Sequence, residues 1–251
     1  MAKILSISAQ ERKDILLYVI FGGNGQKLES YLSISPIFSF ALYHIATDST
    51  AMNAIAASST AMNAIINSQT AMNAIINSQT AMNAIINSQT AMNAIAASST
   101  AMNAIINSQT AMNAIASSPY LLDVASLMYS TCNNHVNKFQ KYTVSLHFHS
   151  SARTYYWTST DGATTTQPNV NANIVFVYQV VDNTSYENTV NLYHLIAPNA
   201  VARAVDLPAT TNSETVNLSP YQPLFGGLKV YDATARGSES KTVYFYGFKA
   251  L

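Results

Sequence analysis

Residues 60–69 read TAMNAIINSQ, and residues 70–79 read TAMNAIINSQ again. The hexapeptide TAMNAI begins at Thr50, Thr60, Thr70, Thr80, Thr90, Thr100 and Thr110, each start ten residues after the last. The connecting tetrapeptides vary little: AASS, INSQ, INSQ, INSQ, AASS, INSQ and ASSP. Repetition this exact marks a repeat architecture and outranks any local reading. The stretch is also chemically uniform. No charged residue lies between Asp48 and Asp123, and seven of the nine methionines fall inside it.

A ten-residue period restricts what the chain can build. A continuous α-helix turns about 100° per residue, so ten residues miss three full turns by roughly 80°. An apolar stripe at that period spirals around the helix, and supercoiling corrects only periods near 3.5 or 3.67 residues per turn. Those grounds argue against one long coiled coil. A β-solenoid fits poorly, because Ala, Met, Asn and Gln are weak strand formers and the apolar positions do not alternate. One short helix per decapeptide remains. Ser58, Ser68, Ser78, Ser88, Ser98, Ser108 and Ser118 each stand two residues before the repeat threonine or its equivalent, and serine is a preferred N-cap. Pro119 follows Ser118, where proline suits a first helical turn. Asn67, Asn77, Asn87 and Asn107 are expected to end the helices in the left-handed conformation that asparagine tolerates. Within a repeat, Ala61, Met62, Ala64, Ile65 and Ile66 form the apolar side. So short a helix is unstable alone, so stacked neighbours or identical chains must cover that side. The simplest role for such an array is a spacer, with the methionines as adaptable core filling.

The flanks differ from the array. Residues 1–48 read as an attachment segment. A helix is expected after Ser8, through AQERKDILLYVIF, up to Gly22-Gly23, and a second one, IFSFALYHIA, after Ser35-Pro36. After the array, PYLLDVASLMYS resembles a degenerate eighth repeat that closes the stack. From about residue 140 the chain becomes rich in Thr, Val, Tyr and Phe. Strands are expected at 143–150, 152–160, 173–181, 188–196, 228–234 and 241–250. Asp161-Gly162, Asp182-Asn183 and Arg236-Gly237-Ser238 mark turns, and Pro198, Pro208, Pro220 and Pro223 are expected between strands. The fold class is therefore α+β in several parts: an attachment segment (1–48), a short-helix decapeptide stalk (49–130) and an antiparallel β-sandwich or jelly-roll-like head (140–251).

Composition narrows the function. Lys+Arg and Asp+Glu are 12 each, so the formal charge is zero, and charged residues make up only 10% of 251 residues. That argues against a basic nucleic-acid binder and against a charged disordered tail. No apolar run is long enough for a transmembrane helix, and the start, MAKILSISAQERKD, lacks the apolar core of a signal peptide. The expectation is a protein assembled in a cytoplasm, without membrane insertion. The single cysteine, Cys132, excludes an internal disulfide. It lies in TCNNHVNK near His135, a thiol–imidazole spacing, although a lone buried cysteine is the commoner case. No phosphate loop, HExxH, GxSxG or CxxC motif is present, and the acids of the β region are scattered, so no enzyme is expected.

Two constellations stand out in the β region. His147 and His149 are two apart in a strand, so both imidazoles can face one point. On a three-fold axis they would supply six nitrogens, suiting iron or another octahedral transition metal. Tyr155-Tyr156-Trp157 offers aromatic surface for a sugar or a protein, with Tyr156 on the opposite side from its neighbours. The inward members of that triplet would simply be core.

The tandem STAMNAI decapeptide, from Ser49 to about Ser118, resembles the STAM-type repeats of tailed-bacteriophage structural proteins, mainly tail-fibre and appendage components. The three-part layout is similar too. The resemblance implies a homotrimeric virion protein that joins other virion proteins through residues 1–48 and meets a host-surface glycan or protein through its β head. It also implies iron on the trimer axis at His147 and His149, because some trimeric phage fibres hold iron through His-x-His. A cement, collar or capsid-decoration protein without a receptor is the alternative. A cell-surface adhesin or ice-binding protein, or a depolymerase, ranks behind both.

Overall fold

The computed structural model describes residues 45–151, 154–159, 164–165, 169–182, 188–196, 201–207, 214–232 and 239–251. The helix expected after Ser8 lies outside these residues, as does all of the one expected at 37–46 but its last two residues, Ile45 and Ala46, which are helical; the turns at Asp161-Gly162 and Arg236-Gly237-Ser238 lie outside them too. The chain divides into two compact units between His135 and Val136.

In the first unit each decapeptide forms one helix. These are α1 (Ser49–Ala57), α2 (Ser59–Ile66), α3 (Gln69–Ile76), α4 (Gln79–Ile86), α5 (Gln89–Ala97), α6 (Ser99–Ile106) and α7 (Gln109–Ala116), followed by α8 (Leu121–Asn134). Helices α1 to α7 pack on their neighbours in sequence, and each helix packs on the one three places away, as α1 on α4 and α5 on α8; α8 also packs on α6. Three decapeptides thus complete one turn of a solenoid. The Ala, Met and Ile positions point inward. In α2, Ala61, Met62, Ala64, Ile65 and Ile66 are all buried, while Asn63 and Asn67 are exposed. Each buried Met or Ile contributes about 1.5–3 kcal/mol, which holds together helices too short to persist alone. The apolar side closes within a single chain, so of the two ways of covering it the stacked one is realised.

The serines explain the corners. Ser58, Ser68, Ser78, Ser88, Ser98 and Ser108 have extended backbone, as at Ser98 with φ −103° and ψ 118°. The Ser98 N–H donates to the Ile95 carbonyl at 3.1 Å, ending one helix, and its carbonyl accepts from the Met102 N–H at 2.9 Å, starting the next. Its Oγ accepts from the Ala101 N–H at 3.2 Å. The same hydroxyl donates to the Ile66 carbonyl, one turn of the solenoid below, at 3.0 Å. Ser88, Ser108 and Ser118 donate likewise to Ala56, Ile76 and Ile86 at 2.6, 3.3 and 2.7 Å, and Ser78 donates to Ala46. Ser58 and Ser68 cap α2 and α3 through bonds of 3.3 and 3.2 Å. Serine thus serves as helix cap and as rivet between turns, because a hydroxyl both donates and accepts. In α8, Thr131 takes the rivet's place and donates to the Ala96 carbonyl at 2.6 Å.

Three local expectations need correction. Asn67, Asn77 and Asn107 do end their helices, but with right-handed backbone, as at Asn67 with φ −93° and ψ −4°. Asparagine acts here through its side chain: Nδ2 of Asn67 donates to the Asn63 carbonyl at 2.8 Å, and Asn77 and Asn87 repeat the bond. That bond fixes the last turn without a left-handed residue. Ser118 caps a turn rather than a helix. Its Oγ accepts from the Tyr120 N–H at 3.3 Å, and its carbonyl accepts from the Leu121 N–H at 3.2 Å, a tight i+3 bond that delays the helix to Leu121. The closing helix also runs beyond residue 130 to Asn134, because Met128 stands where the earlier repeats have their corner serine. Conversely, the repeat pattern begins earlier than expected. Ile45 and Ala46, at the positions of Ile55 and Ala56, are helical and buried.

Cys132 is fully buried on α8, and burial pushes its thiol up to about 12. His135 is not its partner, since Nδ1 of His135 lies 2.8 Å from the Thr131 carbonyl. Because only the thiolate reacts, maleimide labelling at pH 7 is expected to run at least about 100-fold slower in the native than in the urea-unfolded chain. Intact-mass measurement over time checks this.

The second unit is antiparallel β. Its described strands are β1 (Phe139–Ser151), β2 (Thr154–Ser159), β3 (Thr164–Thr165), β4 (Asn169–Asp182), β5 (Asn188–His194), β6 (Val201–Leu207), β7 (Glu214–Asp232) and β8 (Glu239–Ala250). They form one hydrogen-bonded sheet in the order β3-β2-β1-β8-β4-β7-β5-β6. The expected α+β class, short helices followed by antiparallel sheet, is the observed one. Three strand stretches were not expected: β3, β6, and the part of β7 before Leu228. Pro220 and Pro223 lie inside β7 instead of between strands. The ladder shows how Pro220 is tolerated. Val177 pairs with Gln222 and Gln179 with Asn217, so Leu218–Tyr221 bulge out of the pairing where Pro220 falls. One side of the sheet encloses a core of Val175, Val177, Val180, Val190, Leu192, Leu224, Val243 and Phe245, among others.

Candidate binding surface

The alternation of β8 places Tyr244, Tyr246 and Phe248 on one side and Val243 and Phe245 on the other. Phe248 is buried and packs edge-on to Phe176 with ring centroids 5.8 Å apart. Tyr244 and Tyr246 are half-buried. Tyr178 of β4 stacks on Tyr246 at 4.7 Å and meets Tyr244 at 6.2 Å. Tyr221, in the bulge of β7, meets Tyr246 edge-on at 6.4 Å. Lys141 of β1 places Nζ 4.3 Å from the centre of the Tyr246 ring. Beside this cluster, Nε2 of Gln179 donates to Oδ1 of Asn217 at 2.8 Å. Four half-buried tyrosines from three strands, one cation and an amide pair thus form a continuous amphipathic patch. Such rings present large, rigid contact area with polar edges.

The residues singled out from the sequence lie along the same sheet. Register pairs His147 with Thr158 and Thr242, and His149 with Tyr156 and Ser240. Phe148 pairs with Trp157, and Ser150 with Tyr155. His147 and His149 therefore occupy β1 positions of the same parity as Lys141, with no irregularity between them. The side chains of His147, His149, Tyr155, Tyr156 and Trp157 lie outside the described residues. Among the described residues, no three His, Cys, Asp or Glu side chains converge as a metal site, and no helix is long and apolar enough to cross a membrane. The tyrosine cluster was missed because its members come from three strands. Its one local signal is the alternation Tyr244-Phe245-Tyr246.

His194 is the buried titratable group near the end of β5. It is 6% exposed, stacks on Phe225 at 5.9 Å, and accepts at Nδ1 from the Phe225 N–H at 3.0 Å. Its imidazole is thus neutral, and burial lowers its pKa to about 4. The unfolded chain protonates near pH 6.5, before the native one. The stabilisation is therefore complete above pH 6.5 and is lost as pH falls toward 4, a loss of about 3 kcal/mol. Urea unfolding of the β unit, followed by the lone tryptophan, is expected to show this slope, and His194→Gln to flatten it.

No protein-family model matches the chain, and no curated protein matches it.

Proposed function

We propose that the chain is a structural component of a bacteriophage virion, a tail fibre or similar appendage without catalytic activity, whose β unit meets the host surface. The observation that carries the reading is the array. It is an uncharged, self-closing solenoid built from near-identical units, which suits a spacer whose length is set by repeat number. The tyrosine cluster around Tyr246 is the contact surface in this reading, because half-buried tyrosines combine apolar area with hydrogen-bonding edges. Several copies on one particle would convert weak single contacts into firm attachment.

Homotrimerisation and iron at His147 and His149 come from the resemblance of the repeats to phage fibres. The array itself does not require a trimer, since its core closes within one chain. The reading is tested by immunogold labelling of purified phage particles with antibody against the chain. Gold on tails, collars or fibre tips supports it, and label on no particle overturns it. Sedimentation of the purified chain at micromolar concentration tests the trimer, a monomer sinking it. Metal analysis of the same material tests the iron. A soluble β unit that adsorbs to no host cell would favour a cement or decoration protein instead.

A further inference from the structure

The three-helix turn sorts the seven linkers onto three sides of the solenoid, and the sorting is uneven. The side bearing α1, α4 and α7 ends its helices with Ala57, Ile86 followed by Asn87, and Ala116 followed by Ser117. The side bearing α2 and α5 ends them with Asn67 and Ala97. Only on the third side do two asparagine caps stack, Asn77 of α3 and Asn107 of α6. The two AASS linkers both fall on other sides. An open groove of about 480 Å³ lies on this third side, between α3 and α6 and against the start of α7. Its walls carry six amides: Gln69, Asn73, Asn77, Asn103, Asn107 and Gln109. Ile76 and Ala104 border it but are buried, so the surface it offers is mainly polar.

Bonds within each helix hold these amides in place. Gln69 donates to Oδ1 of Asn73 at 3.0 Å, Asn77 to the Asn73 carbonyl at 2.8 Å, and Asn107 to the Asn103 carbonyl at 3.1 Å. A primary amide has two N–H groups and two lone-pair positions, so one such bond leaves it able to pair further. The walls therefore offer donors and acceptors in equal kind, already oriented, on a scaffold with no charged residue between Asp48 and Asp123. A phosphate, a carboxylate or a basic peptide finds no counter-charge there. Hydroxyl groups, each a donor and an acceptor, match the amides. The groove is open, which suits a chain passing along it more than a small enclosed ligand.

We infer that the α3/α6 side of the array is a binding site for a neutral oligosaccharide. It is a site apart from the tyrosine surface and stands whether or not the chain belongs to a virion. The array is then a recognition element and not a spacer alone. Open polar sites of this kind bind weakly, with a Kd of about 1 mM.

The test uses the full chain, labelled with nitrogen-15, titrated with maltohexaose, cellohexaose and N-acetylchitohexaose while side-chain amide resonances are followed. The expected result is saturable shifts of the α3/α6 amides with at least one of the three. Gln69→Ala/Gln109→Ala, which leaves the asparagine caps untouched, is expected to weaken binding at least about 5-fold, the equivalent of one hydrogen bond. Asn67→Ala, on another side, is expected to leave it unchanged. The inference is overturned if no sugar moves those resonances at about 20 mM. It is equally overturned if the double variant binds as the parent does, or if a polygalacturonate oligomer competes on equal terms with the neutral sugars.

Discussion

Replacing Ser88, Ser98 and Ser108 together by alanine is expected to unfold the helical unit at room temperature while the β unit keeps its own transition. Each substitution removes an N-cap, worth about 1 kcal/mol. Each also removes the only described partner of a carbonyl one turn below, at Ala56, Ile66 or Ile76, residues no more than 7% exposed. An orphaned buried carbonyl costs about 1–3 kcal/mol. The three corners are separate, so the losses add to about 6–12 kcal/mol, against a typical total of about 5–15 kcal/mol for a domain. Circular dichroism at 222 nm during a urea titration reads the loss. Threonine at the same three positions is expected to restore most of the stability. It keeps the hydroxyl, fits the extended corner backbone, and already makes the bond at Thr131. If the alanine variant retains the parent's midpoint, the hydroxyl rivets do not hold the turns together.

Deleting Gln79–Ser88 is expected to leave a folded array one helix shorter, whereas deleting Gln79–Asn83 destroys it. The ten-residue deletion joins Ser78 to Gln89 and so recreates the corner sequence Ser-Gln-Thr-Ala-Met. Every remaining helix keeps a partner three places along. α5 then stacks on α1, α6 on α2 and α7 on α3, while α8 stays on α5 with its Thr131–Ala96 bond. The five-residue deletion leaves half a helix, which cannot bury its Ala, Met and Ile side or place its serine over the carbonyl below. Helical content and a cooperative melt check both. Melting of the ten-residue variant in parallel with the five-residue one would contradict a solenoid of interchangeable units.

Gly226 gives a third expected effect, in the β unit. Its φ is +73°, and an added Cβ would lie 2.3 Å from Cγ2 of Ile196. Gly226→Ala therefore costs both backbone strain and a clash against a clasp in which Leu195 and Ile196 donate to the Gly227 and Phe225 carbonyls at 3.3 and 3.4 Å. A loss of about 2–4 kcal/mol in the β-unit transition is expected.

The decapeptide by itself determined that the chain forms separate short helices, where they start, and which side of each is apolar. Those are local properties: a capping hydroxyl, a fixed period, and an Ala-Met-Ala-Ile face within one helical turn of its neighbours. The alternation of Val, Thr and aromatic residues likewise announced antiparallel strands. Tertiary structure alone decided that three helices make a turn. That number follows from the angle at each serine corner, which the sequence specifies only through the packing it permits. From it follow the second bond of each serine to a carbonyl 32 residues earlier and the stacking of Asn77 beside Asn107. The tyrosine cluster was hidden for the same reason. Tyr178, Tyr221 and Tyr246 lie far apart in the chain and meet only because β8 inserts between β1 and β4, with β7 beyond.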